Sequence, residues 1–571
     1  MPTPQSARPH MQFWPKRLPT EIVLPETSLW FNLEVSARRY ADKAAIRYFG
    51  NAITFRDLEA QATALAGWLQ REAGVAKGDR VLLYMQNCPQ FILSYYAILR
   101  ADAVVVPVNP MNRAEEFKHY ITDARASVAI CSADLAGAVE QSNQELPEDQ
   151  RLRHVLVTQY ADALPPSYEH PEDAPPAWLT ATHPLPAGAT AWADAMAANH
   201  APGPHTAGPD DMAVMPYTSG TTGFPKGCIH THRSVMHNVV GGGTWSGSGA
   251  ESVILSVLPL FHVTGMQYGM NGPIYSGATV VMLPRWDREV AGRLISRYNV
   301  THWTNIPTMV IDFLASPNLA EFDLSSLRYI GGGGAAMPQA IAERLREQFG
   351  LGYLEGYGLS ETMAPTHSNP YDRPKLQCLG VPTFNTDARV IDPVTLKELP
   401  PNEVGEIIVS GPQVFKGYWG KPEATAEAFI EFEGKTFFRT GDLGRMDEEG
   451  YYFITDRLKR MINASGFKVW PAEVENLLYK HPDVQEACII GTRDAYRGET
   501  VKAVVVLKAH ARGKTTPEDI VAWAKDNMAA YKYPRVVEFV DALPKSGTGK
   551  VMWRHLQESE NARNAASKIE V

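Results

Sequence analysis

The densest chemistry in the chain lies between Tyr217 and Gly227, YTSGTTGFPKG, where Thr218, Ser219, Thr221 and Thr222 alternate with Gly220, Gly223 and Gly227 around Lys226. Glycines let backbone N–H groups converge on an anion, hydroxyls add donors or metal contacts, and a lysine supplies fixed positive charge. Holding a polyphosphate is the simplest use of such a loop. A flexible Gly/Thr surface turn is the plain alternative, and the clustering of the motif argues against it. The spacing misses the Walker A pattern. Pro225 stands where the second glycine belongs, and Gly227 follows Lys226 where Ser or Thr should meet magnesium, so a P-loop kinase or ATPase loses ground.

Other segments are ambiguous when taken singly. YGLSET (Tyr357 to Thr362) could be a loop at a helix start with Ser360 as N-cap. Asp442 in TGD could be a turn aspartate, Arg457 a surface arginine, and KSGTGK, ending at Lys550, a basic tail. His262 in LPLFHVTG follows an apolar strand, where a lone histidine is usually structural. Cys228, His230, His232 and His237 fit no familiar zinc spacing. In LRYIGGGGAAMPQAIAERL, Gly331, Gly333 and Ala336 satisfy G-x-G-x-x-A between a strand and a helix, with Glu355 at nearly the distance of a ribose-binding acid. That would mean a dinucleotide oxidoreductase and would leave the other motifs without a role.

Taken in order from Tyr217 through YGLSET, TGD, DRLKRMINASGFKVWPAEVE (Asp456 to Glu475) and PKSGTGK (Pro544 to Lys550), the segments resemble the adenylate-forming, AMP-binding superfamily. That superfamily includes acyl-CoA synthetases, luciferases and the adenylation domains of peptide synthetases. The resemblance implies a carboxylic acid, ATP and coenzyme A as substrates, with magnesium. The acid attacks the α-phosphorus, pyrophosphate leaves, and the thiol of CoA then takes the acyl group from AMP. Two anions must meet, so most of the available help is electrostatic.

The same resemblance implies a role for each residue. Thr218, Ser219, Gly220, Thr221, Thr222, Gly223 and Lys226 would hold phosphates, and Thr218 and Glu361 magnesium. Tyr357 would stack on adenine beside Gly333, Gly334, Gly358 and Ser360, and Asp442 and Arg457 would take the ribose. Lys550 would join Glu361 and Thr218 as a catalytic group, carried in by a mobile C-terminal domain that steadies carboxylate and adenylate. A hinge at Lys459 would later remove it and bring Ser465, Gly466 and Phe467 to the CoA channel.

The acyl pocket would lie among His262, Met266, Trp303, Gly332, Gly333 and Gly334. Its apolar character suits an aliphatic chain better than a charged acid. The opening TSLWFNLEVSARRYADKAAIRYFG also resembles medium- and long-chain fatty acyl-CoA synthetases. Met266 stands where some long-chain members gate the tunnel with Trp, so medium-chain or aryl acids, the latter implying an aryl acid:CoA ligase, stay open; a stand-alone adenylation enzyme is a separate alternative. A catalytically silent binding protein would be expected to have lost Lys550 or Glu361.

These residues need a large scaffold, and 571 residues suffice for several folding units. With 44% hydrophobic and 20% charged residues the composition is that of a folded globular chain. A formal charge of −9 disfavours nucleic acid as a partner. Five scattered cysteines without a Cys-x-x-Cys pair point to a reducing, cytoplasmic location. No apolar run reaches the ~18 residues of a membrane span, so lipid contact would be peripheral. A homodimer is the other association left open.

The pattern predicts an α/β fold. Helix and strand alternate from Thr27 to Val157, which argues for βα units on a largely parallel sheet. Tyr160 to Asp210, rich in Pro and Ala, reads as a surface excursion. A second α/β layer starts at Met212, and a small antiparallel sheet or barrel near Ala388. Residues 1–456 form the expected N-terminal adenylation domain, and 457–571 a small mobile α+β domain carrying the catalytic lysine. In the latter, Pro471 opens one helix and Thr516 caps another.

Overall fold

The computed structural model describes residues 8–168, 174–218, 225–457, 460, 462–464, 467–469, 471–494, 498–545 and 551–566. Ser219, Gly220, Thr221, Thr222, Gly223, Lys459, Ser465, Gly466 and Lys550 lie outside them. The chain forms two compact units. The first comprises Met1–Ala388, Val409–Phe438 and Glu449–Tyr451; the second comprises Arg389–Ile408, Arg439–Glu448 and Tyr452–Val571.

The first unit holds two α/β sheets. One runs, in spatial order, Thr190–Ala191, His154–Thr158, Val128–Ser132, Arg80–Tyr84, Val104–Pro107, Met212–Val214 and His230–Thr231. The other has at its centre the parallel strands Tyr353–Leu359, Tyr329–Gly332, His302–Asn305, Val253–Ser256 and Thr279–Met282. Strands such as VVVP at Val104–Pro107 are apolar throughout because helices cover both faces. The helices Phe55–Arg71 and Pro89–Arg100 share one core with Val81, Leu83 and Val105 of the first sheet and Ile46, Val280 and Met282 of the second. Thr54 caps the former, accepting from Asp57 N at 3.1 Å. Pro89 opens the latter, where its missing N–H costs nothing.

The outer face of the second sheet buries Leu255, Val281, Trp303 and Ile330 against the helices Arg288–Tyr298, Pro307–Leu314 and Gln339–Phe349. A third, five-stranded sheet follows, from Asp387–Ile391 to Tyr452–Arg457. In the second unit, strands Val484–Asp494 and Gly498–Leu507 pair antiparallel. One face packs Pro471–Leu478 and Pro517–Asn527, the other Trp553 and Leu556. Lys502, 5% exposed, sits there between Glu538 and Glu560, 2.7 Å from each.

Two expectations change. The Pro/Ala-rich stretch is part of the scaffold: it adds the edge strand Thr190–Ala191 and buries Leu179 and Trp192. It then lies along Phe55–Arg71, where Gly203 N donates to Gln70 Oε1 at 2.8 Å. Proline breaks it into elements too short to show periodicity. YGLSET opens no helix of any length. It ends the strand Tyr353–Leu359 and makes one 3₁₀ turn, Ser360–Thr362, whose N-cap is Leu359 and not Ser360. Among the described residues, no helix is long and apolar enough to cross a membrane.

Candidate active site

The phosphate-loop candidate leaves the strand Met212–Val214, which pairs parallel with Val105 and antiparallel with His230–Thr231. Thr218 N donates to Lys226 O at 2.9 Å and Cys228 N to Pro216 O at 2.8 Å, so Thr218 and Lys226 stand side by side at the loop's base. Tyr217 anchors that base by donating to Asp123 Oδ2 at 2.8 Å, and the Trp419 indole donates to Asp123 O at 3.0 Å. Residues 416–419 run alongside: Lys416 N donates to Ile229 O, Ile229 N to Gly417 O and Trp419 N to Gly227 O, at 2.8–3.0 Å.

This backbone pairing places Tyr418. The Lys226 ammonium lies over the Tyr418 ring, 4.9 Å from its centroid, and the Tyr418 hydroxyl donates to Glu361 Oε1 at 2.8 Å. Lys226 and Glu361, 135 positions apart in sequence by their numbers, therefore meet on one aromatic ring. Burial, reinforced by the Glu361 carboxylate, pushes the Tyr418 hydroxyl well up, so it stays a donor. The Cys228 thiol beneath them is also pushed up, by burial first and then by Glu361, with Lys226 opposing.

The adenine candidates sit at the carboxyl ends of parallel strands, where α/β sheets place ligands. Asn305, Gly332 and Glu355 are in register across three strands. A side chain at Gly332 would overlap the Asn305 carbonyl, and one at Gly358 would overlap the backbone of Ala364. Both positions therefore require glycine. Tyr357 is opposite His367, with ring centroids 5.7 Å apart. Gly333 is half-buried and Gly334 exposed. Ser360 O lies 2.8 Å from His230 Nε2.

Glu355 does something other than meet a ribose. Its buried carboxylate accepts from Met337 N at 3.2 Å and from Gln377 N and Cys378 N at 3.1 Å. Burial raises its pKa to about 7 despite these donors. An acid spent on backbone in this way cannot serve the dinucleotide reading of the glycine run.

Two of the acyl-pocket candidates, Met266 and Trp303, lie in different cores. His262 caps Val263–Met266, its Nδ1 3.4 Å from Thr264 N. Met266 and Met270 lie in the core shared by the two sheets. Trp303 is on the opposite face of its sheet, stacked on Trp286 at 5.6 Å and edge-on to Phe313. Successive strand residues face opposite ways, so Thr304 and not Trp303 points to the side on which His302 meets helix His232–Ser246. His230, His232 and His237 are each engaged separately, by Ser360 O, Leu29 N and Phe384 O.

In the second unit, Asp442 and Arg457 are direct partners across antiparallel strands. Asp442 is fully buried, and its N–H donates to Thr440 Oγ1 at 3.1 Å. The Thr440 hydroxyl donates in turn to Ile407 O at 2.6 Å. Phe467 begins the strand Phe467–Val469.

A family model for AMP-binding enzymes matches residues 33–419, and one for the C-terminal domain of AMP-binding enzymes matches 473–550. The chain belongs to the AMP-binding enzyme family. It is 38% identical over 570 residues to a long-chain-fatty-acid–CoA ligase of Bacillus subtilis (strain 168), covering 97% of this chain and 99% of that one. It is 34% identical over 519 residues to a feruloyl-CoA synthase of Amycolatopsis, covering 90% and 96%. Among solved structures, ATP-bound MatB from Rhodopseudomonas palustris superposes with a TM-score of 0.82 at 29% identity, covering 95% of this chain and 100% of that one. The chain is an ATP-dependent, AMP-forming acid:CoA ligase, with ATP and CoA as its co-substrates.

Sequence reasoning missed Tyr418, Asp123 and Asn238. None sits in a motif of biased composition, and Tyr418 is marked only by the glycine before it.

Proposed function

We propose that this ligase activates a long-chain fatty acid, with magnesium carried on the ATP phosphates. The observation that carries the reading is the meeting of Lys226 and Glu361 on Tyr418, beside a base where Thr218 and Lys226 are clipped together. One carboxylate and one aliphatic hydroxyl are oxygen donors of the kind that suits magnesium, which keeps most of its waters and binds mainly through substrate phosphates. Glu361 and Thr218 would hold it, and when bound it would neutralise charge on the phosphates.

Lys226 and the loop amides bind and orient the phosphates so that the α-phosphorus faces the substrate carboxylate. That carboxylate forms the new P–O bond as pyrophosphate departs, leaving an acyl-adenylate. Tyr357 and the Gly333–Gly334 backbone hold adenine, and Asp442 with Arg457 holds ribose. Lys550 neutralises the carboxylate during this step. Rotation at Lys459 then exchanges Lys550 for residues 465–467; the CoA thiol attacks the acyl carbonyl, losing its proton, and AMP leaves.

A long aliphatic acid is favoured by the names of the relatives at 33–38% identity over nearly the whole chain. The test is acid-dependent exchange of labelled pyrophosphate into ATP, followed by CoA consumption, across medium and long saturated acids, a benzoic acid and a cinnamic acid. Both signals should rise toward the long chains. Preference for an aryl acid would overturn the substrate class, and no exchange with any acid would overturn the reading itself.

A further inference from the structure

Just past Glu361 the backbone passes through two consecutive non-glycine residues at positive φ, Met363 at 47° and Ala364 at 68°. L side chains adopt that region only at a cost, so the pair persists only if its surroundings hold it. Four successive carbonyls are held from outside their own segment. Ser360 O faces His230 Nε2 at 2.8 Å, and Glu361 O accepts from Phe415 N at 2.8 Å. Thr362 O and Met363 O both accept from the side-chain amide of Asn238, at 2.9 and 2.8 Å.

Asn238 is 4% exposed, on the helix His232–Ser246 that follows the phosphate loop. Its orientation is determined, because a flipped amide would set its oxygen against two carbonyl oxygens. Gln267 adds a longer bond to Met363 O, 3.5 Å, and a shorter one to Val235 O, 3.1 Å, tying the same helix to the turn. Gln267 opens a π-helical turn, Gln267–Asn271, directly after Met266. Asn271 continues the polar chain, donating to Gln267 Oε1 at 3.3 Å and to the Tyr95 hydroxyl at 3.0 Å.

A glycine turn would need no such clasp. We infer that Asn238 is a positioning residue: its amide holds the strained Met363–Ala364 turn and so fixes the direction in which Glu361 leaves the backbone toward the metal on ATP. This rests on the reading of Glu361 as the magnesium carboxylate. Gln267 supports the same turn from the element that begins at the acyl-pocket candidate Met266.

The test measures the ATP dissociation constant of the full chain by calorimetry, with magnesium and with EDTA. The constant in EDTA divided by the constant with magnesium reads the metal-dependent part of binding. Asn238→Ala should lower that ratio about tenfold while metal-free ATP binding stays within about twofold, since one well-placed hydrogen bond is worth that much. Adding Met363→Gly, which removes strain at the turn, should restore most of the ratio. A lowered Tm with an unchanged ratio would mean that Asn238 is a core hydrogen bond and nothing more, and would overturn the inference. Glu361→Gln separates the two readings. If it abolishes the metal effect and Asn238→Ala does not, the inference fails alone; if Glu361→Gln keeps the full effect, the magnesium reading fails and the inference with it. Should Asn238→Ala not fold, Gln267→Ala decides: a loss of about threefold in the ratio supports the clasp, and no loss overturns it.

Discussion

Tyr418 couples an aromatic face to a cation and a hydroxyl to a carboxylate, two interactions that are each modest in water and stronger where solvent is displaced. Removing only the hydroxyl isolates the second. Tyr418→Phe keeps the ring under Lys226 and removes the hydroxyl's hold on the Glu361 carboxylate, so kcat/KM for ATP should fall about tenfold, about 1.4 kcal/mol, with Tm nearly unchanged. Unchanged steady-state kinetics would show that Glu361 is oriented without it. The motifs named Lys226, Thr218 and Glu361 because their chemistry is written in residue type and clustering. Tyr418 was illegible because its role comes from a backbone pairing between segments almost two hundred positions apart, which leaves no local mark. Trp303 misled for the complementary reason: its position in the chain is right for a pocket, but the period of a strand decides which face it serves, and it serves the core.

Elements were easier to read than pockets. Apolar runs separated by helical periodicity announced two largely parallel sheets, and Pro471, Thr516 and Pro517 marked helix starts that the structure repeats. The stretch from Tyr160 to Asp210 was not legible because its helices are four and six residues long, too short for an amphipathic pattern to repeat. The glycine run after Tyr329 had two meanings in sequence, a dinucleotide fingerprint or a flat wall for a nucleotide. The structure assigns it a third duty, close approach of neighbouring strands. Gly332→Ala forces a methyl against the Asn305 carbonyl between two hydrogen-bonded strands. The main obstacle is backbone that cannot swing aside, so the substitution should cost about 2–4 kcal/mol of stability, visible as a lowered denaturant midpoint in the absence of any ligand. A variant as stable as the parent but weak in ATP binding would return the glycine to a purely ligand-contacting role.

At the scale of the whole molecule, the first unit buries charge-capable groups that have no charged state to offer. His10 and His230 are pushed down to about 4, and His232 and His367 to about 3, chiefly by burial. Arg8 adds to the effect on His10, His205 to that on His232, and His10 to that on His367. In the unfolded chain each titrates near the ordinary value of 6.5. As pH falls below that value the unfolded state takes up protons that the folded state refuses, so stability declines, by about 1.4 kcal/mol per pH unit for each such histidine. Glu355 acts the other way. Its pKa rises from 4.5 to about 7, so the folded state holds a proton that the unfolded state releases, and this group weakens the fold as pH rises through that window. Four histidines outweigh one carboxyl, and the net slope is positive. Tm at constant scan rate should therefore climb between about pH 5 and pH 6.5, with unfolding accompanied by proton uptake, and the histidine contribution should level off above about pH 7. A Tm that is flat or falling across that interval would mean that the four rings carry protons inside the fold, and the hydrogen bonds assigned to His230 beside Ser360 and to His232 at Leu29 would have to be redrawn.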